Sequence, residues 1–338
     1  MPRTTRHHGR WTIADRIASA WHYLPVEVPA GSCGLRVELE YDRSAAVLDL
    51  GCTGPAGFRG WSGGARRSFV IAPDAATPGY LAGDLHTHTV HSDGAQTVAE
   101  LSRFAAGLGL DFIAVTDHNT VSHHGELPAA AARHGITLLP GQEVTTAGGH
   151  AGALGEVGWI DFRLPADSWL EQTRRRGGLL SVNHPIAGHL SWTLAMRERP
   201  PLVEVWHWSW LDLRWTLPLA WWLAWDPGAI PVGGSDWHRP GSDAPPGTPT
   251  TWVECAADGP DAVLDGLREG RVAISGRRDG PVLLRSGGEM IAVDAEGTTL
   301  VGPDGPRARV RRPRESFPAA AGHHRLLDDT GATLALTG

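Results

Sequence analysis

From about Leu81 the chain alternates short apolar runs with amphipathic stretches. GYLAGDLH, LDFIAVTD, ITLLPGQE, AGALGEVGWI, LLSVNHP, LVEVWH and AIPVGGSD read as strands. TVAELSRFAAGLG sets Val98, Leu101, Phe104, Ala105 and Leu108 on one helical face. ELPAAAARHG is a second helix; DAVLDGLREG is another, ending at Gly270 before the strand RVAIS. Strands alternating with helices predict mainly parallel pairing with right-handed crossovers. Upstream, LRVELEYD, AAVLDLG and RSFVIAP have strand character, GPAGFRGWSGGARR is rich in turn residues, and DAATPGYLA reads as a linker. Downstream of Gly276 the composition turns to Gly, Arg and Pro with short alternating stretches. Three parts are therefore predicted: an N-terminal β-rich domain over 1–80, an α/β domain over 81–275 and a C-terminal β appendage over 276–338.

Polar residues that can bind metals punctuate the ends of these apolar runs. They are His86, His88, Asp93, Asp117-His118, Glu143, His150, His184, Asp236 and His238, in GDLHTHTVHSDG, AVTDHN, PGQEVTT, GGHAGALG, VNHP and GGSDWH. Alternate residues of a strand point the same way, so His86 and His88 face one point, as do Asp236 and His238. An isolated His-x-His, or an Asp in a Ser-Asp-Gly turn, is ordinarily structural. The coincidence of so many such residues at strand ends is not. In α/β folds, closed or open, sites are built beyond the carboxyl ends of strands. The spread of these residues over many strands favours closure into a distorted barrel. Imidazole and carboxylate donors suit zinc, iron or manganese, and the set predicts a multinuclear, water-activating metal site.

Composition narrows the chemistry. The 338 residues are 41% hydrophobic and carry a formal net charge of −7, giving no electrostatic reason to expect nucleic acid as a partner. The chain contains no lysine, which removes Schiff-base, phosphate-loop and carbamylated-lysine mechanisms. Glu143 is then the natural residue to bridge two cations. Cys33, Cys52 and Cys255 form no C-x-x-C and read as free thiols. No continuous apolar h-region opens the chain, and the Trp-rich stretch from Val205 to Trp225 is interrupted by His207, Asp212, Arg214 and Pro218. A cytoplasmic location without membrane contact is expected. Eleven Trp residues lie between Trp159 and Trp237, either as an aromatic pocket or as core packing and a lid.

The run GDLHTHTVHSDG, then VTDHN, GQEVTT, NHP and GSDWH, resembles the PHP (polymerase and histidinol phosphatase) superfamily of metallohydrolases over roughly Tyr80 to Ser275. The CehA/McbA-like branch is the most similar, and DLGCTGP, FRGWSGGARRSF and ATPGY resemble the β domain preceding its barrel. The resemblance implies a distorted (β/α)7 barrel and two or three divalent ions (Zn, Mn or Fe). It implies one ion on His86, His88, Glu143 and Asp236; a second on Glu143, His184 and His150; and a third on Asp93, His118 and His238. The expected activity is a phosphoesterase acting on a small phosphorylated molecule through a metal-bridging hydroxide. Asp236, His207 and His123 are the candidate catalytic residues, with Asp236 taking the proton of water. Arg239, Asn119 and His124 are the candidate substrate contacts. Hydrolysis of carbamate, ester or amide bonds is the alternative, and a non-catalytic metal-binding regulatory module is a third reading. The sequence leaves the oligomeric state open.

Overall fold

The computed structural model describes residues 6–10, 12, 14–15, 24–26, 35–39, 51–54, 57–61, 68–71, 79–210, 212–214, 216–241 and 244–338. Its strands, in chain order, are β1 (Leu35–Glu38), β2 (Gly51–Gly54), β3 (Gly57–Trp61), β4 (Ser68–Ile71), β5 (Tyr80–Thr87), β6 (Phe112–Val115), β7 (Thr137–Thr146), β8 (Gly149–Leu154), β9 (Leu179–Asn183), β10 (Leu202–His207), β11 (Ile230–Gly234), β12 (Thr250–Glu254) and β13 (Val272–Ser275). They continue as β14 (Val282–Ser286), β15 (Glu289–Val293), β16 (Thr299–Gly302), β17 (Gly305–Arg309), β18 (Arg314–Pro318), β19 (His324–Leu327) and β20 (Thr333–Thr337). The α-helices are α1 (Val98–Gly107), α2 (Leu127–His134), α3 (Ala166–Arg175), α4 (Leu217–Trp225) and α5 (Pro260–Arg268).

Helix α1 starts where its sequence says it should. Thr97 caps it by accepting the Glu100 N–H at 3.3 Å, and Glu100 Oε2 accepts the Thr97 N–H at 2.9 Å. Val98, Leu101 and Ala105 are buried against β6 residues Ile113 and Val115, with Phe104 and Leu108 packed beside them. Helix α2 carries Pro128 in its first turn and stops at Gly135, whose φ of +64° suits a residue without Cβ. Upstream, β1 pairs antiparallel with β4, and β2 with β3. The turn-rich reading of GPAGFRGWSGGARR is thus corrected at Gly57–Trp61, which is a strand. The predicted strand AAVLDLG, apart from Gly51, and the linker up to Pro78 lie outside the described residues.

One thirteen-stranded sheet dominates, in the order β11-β10-β9-β8-β7-β6-β5-β12-β13-β20-β19-β16-β17. The parallel expectation holds for β5-β6-β7 and β9-β10-β11. It fails between them: β8 runs antiparallel to both β7 and β9, and β12 runs antiparallel to β5. The cause at β7–β8 is local, a hairpin whose register closes at Thr146 opposite Gly149.

The sheet is not closed, a correction to the predicted barrel. Its last parallel strand, β11, lies beside β5, but only the segment beyond it makes backbone bonds there: His88 N–H to Trp237 O at 2.9 Å and Trp237 N–H to His86 O at 3.4 Å. Side chains occupy the places of the missing ladder. Buried Asp84 accepts the N–H groups of His86 and Ser235, both at 3.0 Å, and of Gly247 at 2.7 Å. The Thr251 hydroxyl accepts from Gly233 N–H and donates to Gly233 O, each at 2.8 Å. Backbone groups at the open seam are therefore satisfied without strand pairing. The C-terminal strands also join this sheet, because β20 pairs with β13; a separate three-stranded sheet β14-β15-β18 covers them. Among the described residues, no helix is long and apolar enough to cross a membrane.

Candidate metal centre

The carboxyl ends of β5, β6, β7, β9, β10 and β11, with the start of β8, bring the predicted ligands together. Glu143, fully buried on β7, is the hub. Its carboxylate oxygens lie 3.1 Å from His86 Nε2, 3.7 Å from His88 Nε2, 2.7 Å from His118 Nδ1, 3.2 Å from His150 Nδ1 and 3.3 Å from His184 Nε2. Asp236 Oδ1 is 3.2 Å from His86 Nε2 and 3.0 Å from His88 Nε2. Asp93 Oδ1 is 3.2 Å from His238 Nε2 and 3.6 Å from His118 Nε2. Three overlapping groups result: His86, His88, Glu143 and Asp236; His118, Glu143 and His150; and His88, Asp93, His118 and His238. A fourth contains His86, His184 and Glu204.

The arrangement fits divalent cations. Donor atoms that share an ion at roughly 2.0–2.2 Å stand about 3–3.6 Å apart, which is the spacing of all the pairs above except His118–Glu143 at 2.7 Å and His88–Glu143 at 3.7 Å. His86 Nε2 is buried and makes no hydrogen bond, although two carboxylate oxygens lie close to it. The ion pairs of Glu143, Glu204 and Asp236 among the described residues are all with imidazoles. Buried anions of this kind need a cation.

The electrostatics show the same tension. Burial works to raise the Glu143 and Asp236 carboxyls, but the surrounding imidazoles, His86 foremost, hold both well below the usual carboxylate range. Burial works to lower His86, yet Glu143, Asp236 and Glu204 hold it well above the usual imidazole value; His118 and His184 are raised by Glu143 in the same contest. His88 goes the other way, lowered by burial.

Backbone conformation is strained at the same place. His184 and Asp236 have φ of +26° and +50°, and Asn119, which follows His118, has +52°. Such residues cost about 1–3 kcal/mol each and cluster at functional sites. Asn119 is locked by its own amide: Oδ1 accepts the Thr145 N–H at 2.9 Å and Nδ2 donates to Thr145 O at 3.0 Å. Its backbone N–H donates to Glu143 O at 2.9 Å. It therefore fastens the strand end that carries Glu143.

Three other sequence candidates are placed differently from expectation. His123 is fully buried, with Nε2 donating to Val115 O at 3.0 Å and Nδ1 3.1 Å from Asp117; burial lowers it to about 4. Both nitrogens face the protein, so the catalytic reading is corrected to a structural one. His124 directs Nε2 to Gly141 O at 3.0 Å rather than to the cluster. The Asn119 amide is consumed by Thr145, so it too is corrected from substrate contact to support. Arg239 is exposed, immediately after His238.

His207 does reach the site. Its Nδ1 accepts the Ser209 N–H at 3.2 Å and lies 2.7 Å from Ser209 Oγ, and its Nε2 stands 3.4 Å from Asp236 Oδ2. Asp117 braces the loop after β5, accepting from Thr89 N–H at 2.8 Å and from the Thr89 and Ser92 hydroxyls, both at 2.6 Å.

Two buried acids were missed from the sequence, Asp84 and Glu204. Each sits inside an apolar run, GYLAGDLH and LVEVWH, and a charge in a fully buried strand is the signal that could have found them. A cavity of about 650 Å³ lined by Leu81, Asp111, Thr137 and Leu138 opens at the opposite ends of β5–β7 and holds none of these residues.

An α/β sheet with imidazoles and carboxylates gathered beyond its strand ends has the donor set of a divalent-metal site. Residues 84–155 match the model of the PHP domain. The chain is 33% identical over 139 residues to a 3′,5′-nucleoside bisphosphate phosphatase of Chromobacterium violaceum, covering 37% of this chain and 47% of that protein. It is 38% identical over 63 residues to a 5′-3′ exoribonuclease of Haemophilus influenzae, covering 19% and 23%. The chain thus spans less than half the length of these two relatives. Among solved structures, a two-domain protein from Bacteroides vulgatus containing a predicted PHP-like metal-dependent phosphoesterase superposes with a TM-score of 0.50 at 16% identity, over 77% of this chain and 94% of that one. At that identity the likeness concerns the fold alone.

Proposed function

We propose that this protein is a metal-dependent phosphoesterase that hydrolyses phosphate esters of a small molecule. The observation that carries the reading is Glu143, one buried carboxylate within 3.7 Å of five imidazoles carried by β5, β8, β9 and the loop after β6. Such a group is suited to bridge ions. The first ion is assigned to His86, His88, Glu143 and Asp236; a second to Glu143, His150 and His184; and a third to Asp93, His118 and His238. Zinc, manganese and iron all suit these donors. At such a site divalent ions supply neutralisation of phosphoryl charge and a water of lowered pKa.

The remaining work falls to side chains. Asp236 Oδ2 is placed to accept a proton from the attacking water, and the His207 Nε2–H beside it to donate one to the leaving oxygen. The Ser209 N–H and hydroxyl hold the other face of the ring at Nδ1, which keeps Nε2 turned to Asp236. Arg239, exposed beyond His238, is assigned to the substrate phosphate. Within the same reading the strands from β5 to β11 form the wall of a distorted seven-stranded barrel left open at the β11–β5 seam. The domain limits stay at 80 and 275, the branch is the CehA/McbA-like one, and the setting is cytoplasmic.

The test is metal analysis of the purified protein coupled to a hydrolysis panel of aryl phosphates, phosphodiesters, nucleotides including 3′,5′-nucleoside bisphosphates, and aryl carbamates. Metal-dependent release of phosphate is the expected result, in line with the phosphatase relative. Turnover of carbamates with none of any phosphate ester would replace this reading with the carbon-centred alternative. Metal uptake without turnover of any panel member would leave a regulatory module.

A further inference from the structure

Glu204 lies mid-strand on β10, 2% exposed, and touches two of the proposed ligands at once. Its carboxylate oxygens stand 3.2 and 3.4 Å from His86 Nδ1, and Oε2 accepts the backbone N–H of His184 at 2.7 Å. We infer that Glu204 is a positioning residue that sets two metal ligands together, orienting the His86 ring through Nδ1 and holding the His184 backbone in its left-handed turn. The inference rests on the metal-dependent reading given above.

Three features of the chain serve this contact. First, an imidazole that offers Nε2 to an ion keeps its proton on Nδ1, and that proton needs an acceptor. Glu204 supplies it, while His86 Nε2 is left toward Glu143 and Asp236. Second, the β10–β11 register shifts between Glu204 and Trp206, so Val205 is an extra residue in the ladder. In a regular strand, Glu204 and His207 would face opposite sides; the bulge turns both toward the site. Third, Gly234 on β11 makes room. A Cβ there would lie 2.1 Å from Glu204 Oε1 and 2.6 Å from His86 Cβ. Only a glycine lets β11 pass beside this pair. His184 has φ of +26°, and the Glu204 carboxylate is the partner of its N–H.

A glutamine cannot replace this carboxylate. With its carbonyl oxygen in the place of Oε2 it keeps the His184 N–H, but its NH₂ then stands where Oε1 lay 3.2 Å from His86 Nδ1, donor against donor. The test is zinc affinity, measured by competition with a chromophoric chelator, on the parent, Glu204→Gln and Gly234→Ala. It is paired with the visible spectrum of the cobalt-substituted proteins and with thermal unfolding of the metal-free forms. Both variants are expected to bind zinc roughly 10–100-fold more weakly, the range for partners of ligating histidines. The cobalt bands of Glu204→Gln should keep the parent positions, because the ligands are unchanged, and the metal-free unfolding midpoint should stay near the parent value. Zinc affinity within about twofold of the parent in either variant, well inside that range, would overturn the inference. So would cobalt bands showing loss of a ligand, which would make Glu204 itself a ligand. Collapse of the metal-free Glu204→Gln fold would make the residue merely structural, unless Gly234→Ala stays folded and loses affinity as stated, which would support the inference. A parent that takes up no zinc would remove the metal reading and this inference with it, whereas a parent that binds normally beside an unaffected Glu204→Gln removes the inference alone.

Discussion

At the scale of single residues, the site is a contest between burial and charge, and Glu143 decides it. Replacing Glu143 by Gln keeps the shape and removes the charge that five imidazoles share. The expected outcome is a loss of at least about 100-fold in zinc affinity, the upper end of what even outlying partners contribute, with phosphatase turnover falling alongside; isothermal titration and steady-state kinetics check both. The pH dependence of the metal-free protein follows from the directions of the shifts. His86, His118 and His184 are raised, so their contribution to stability is full below the unfolded value of about 6.5 and is lost as pH climbs through the folded values. Glu143 and Asp236 are lowered, so theirs is present above about 4 and is lost as pH falls. The metal-free melting temperature should therefore peak between about pH 4 and 6.5 and decline above it. Zinc must displace those protons, so the increment it adds should grow over the same rise in pH. Calorimetric scans of both forms read this; a metal-free midpoint that climbs above about pH 6.5 would contradict the electrostatics.

At the scale of elements, much of the site was legible because its signals are local. The apolar runs before His86, His118, Glu143 and Asp236 became β5, β6, β7 and β11, and helix α1 formed where Thr97 and Glu100 box its start. What escaped were features set by contacts distant in sequence. The Asn119 amide looked like a substrate contact in VTDHN, but Thr145 on β7 takes both its donor and its acceptor. His123 and His124 follow the same ligand run, yet their nitrogens turn to Val115 and Gly141 carbonyls. The antiparallel insertion of β8 hid behind a strand-and-helix rhythm whose local texture it does not disturb. Asn119→Ala should lower unfolding free energy by about 1–3 kcal/mol, from two lost hydrogen bonds, the Cβ at positive φ being common to both residues. Asn119→Gly removes that Cβ and recovers part of the loss, so it should be the less destabilising of the two; urea denaturation separates them. Gly94→Ala tests the loop that carries Asp93. Its Cβ would meet the His88 carbonyl and Thr89 N at 2.5–2.6 Å, so the loop must shift and the outermost ion should be held more weakly. Equilibrium dialysis against graded zinc would show one ion lost before the others.

At the scale of the whole molecule, the sheet continues from β13 through β20 into the C-terminal strands, a pairing that no local pattern announces. Leu336 on β20 packs in the same apolar cluster as Ile274, Val205 and Trp206, the strand neighbours of Glu204 and His207. Deleting residues 276–338 would bare the β13 edge and remove part of that cluster. The truncated chain should be aggregation-prone and poorly folded rather than an active core, as size-exclusion chromatography and circular dichroism would show. The position of β20 also bears on synthesis. Its residues follow those of β13 by about 60, a delay of roughly 3–12 s at ordinary ribosomal rates. Throughout that interval the emerging polypeptide holds a half-built cluster of buried imidazoles and carboxylates whose neighbouring backbone is ready to accept any extended segment, so chaperone demand should be concentrated in the final stage of translation.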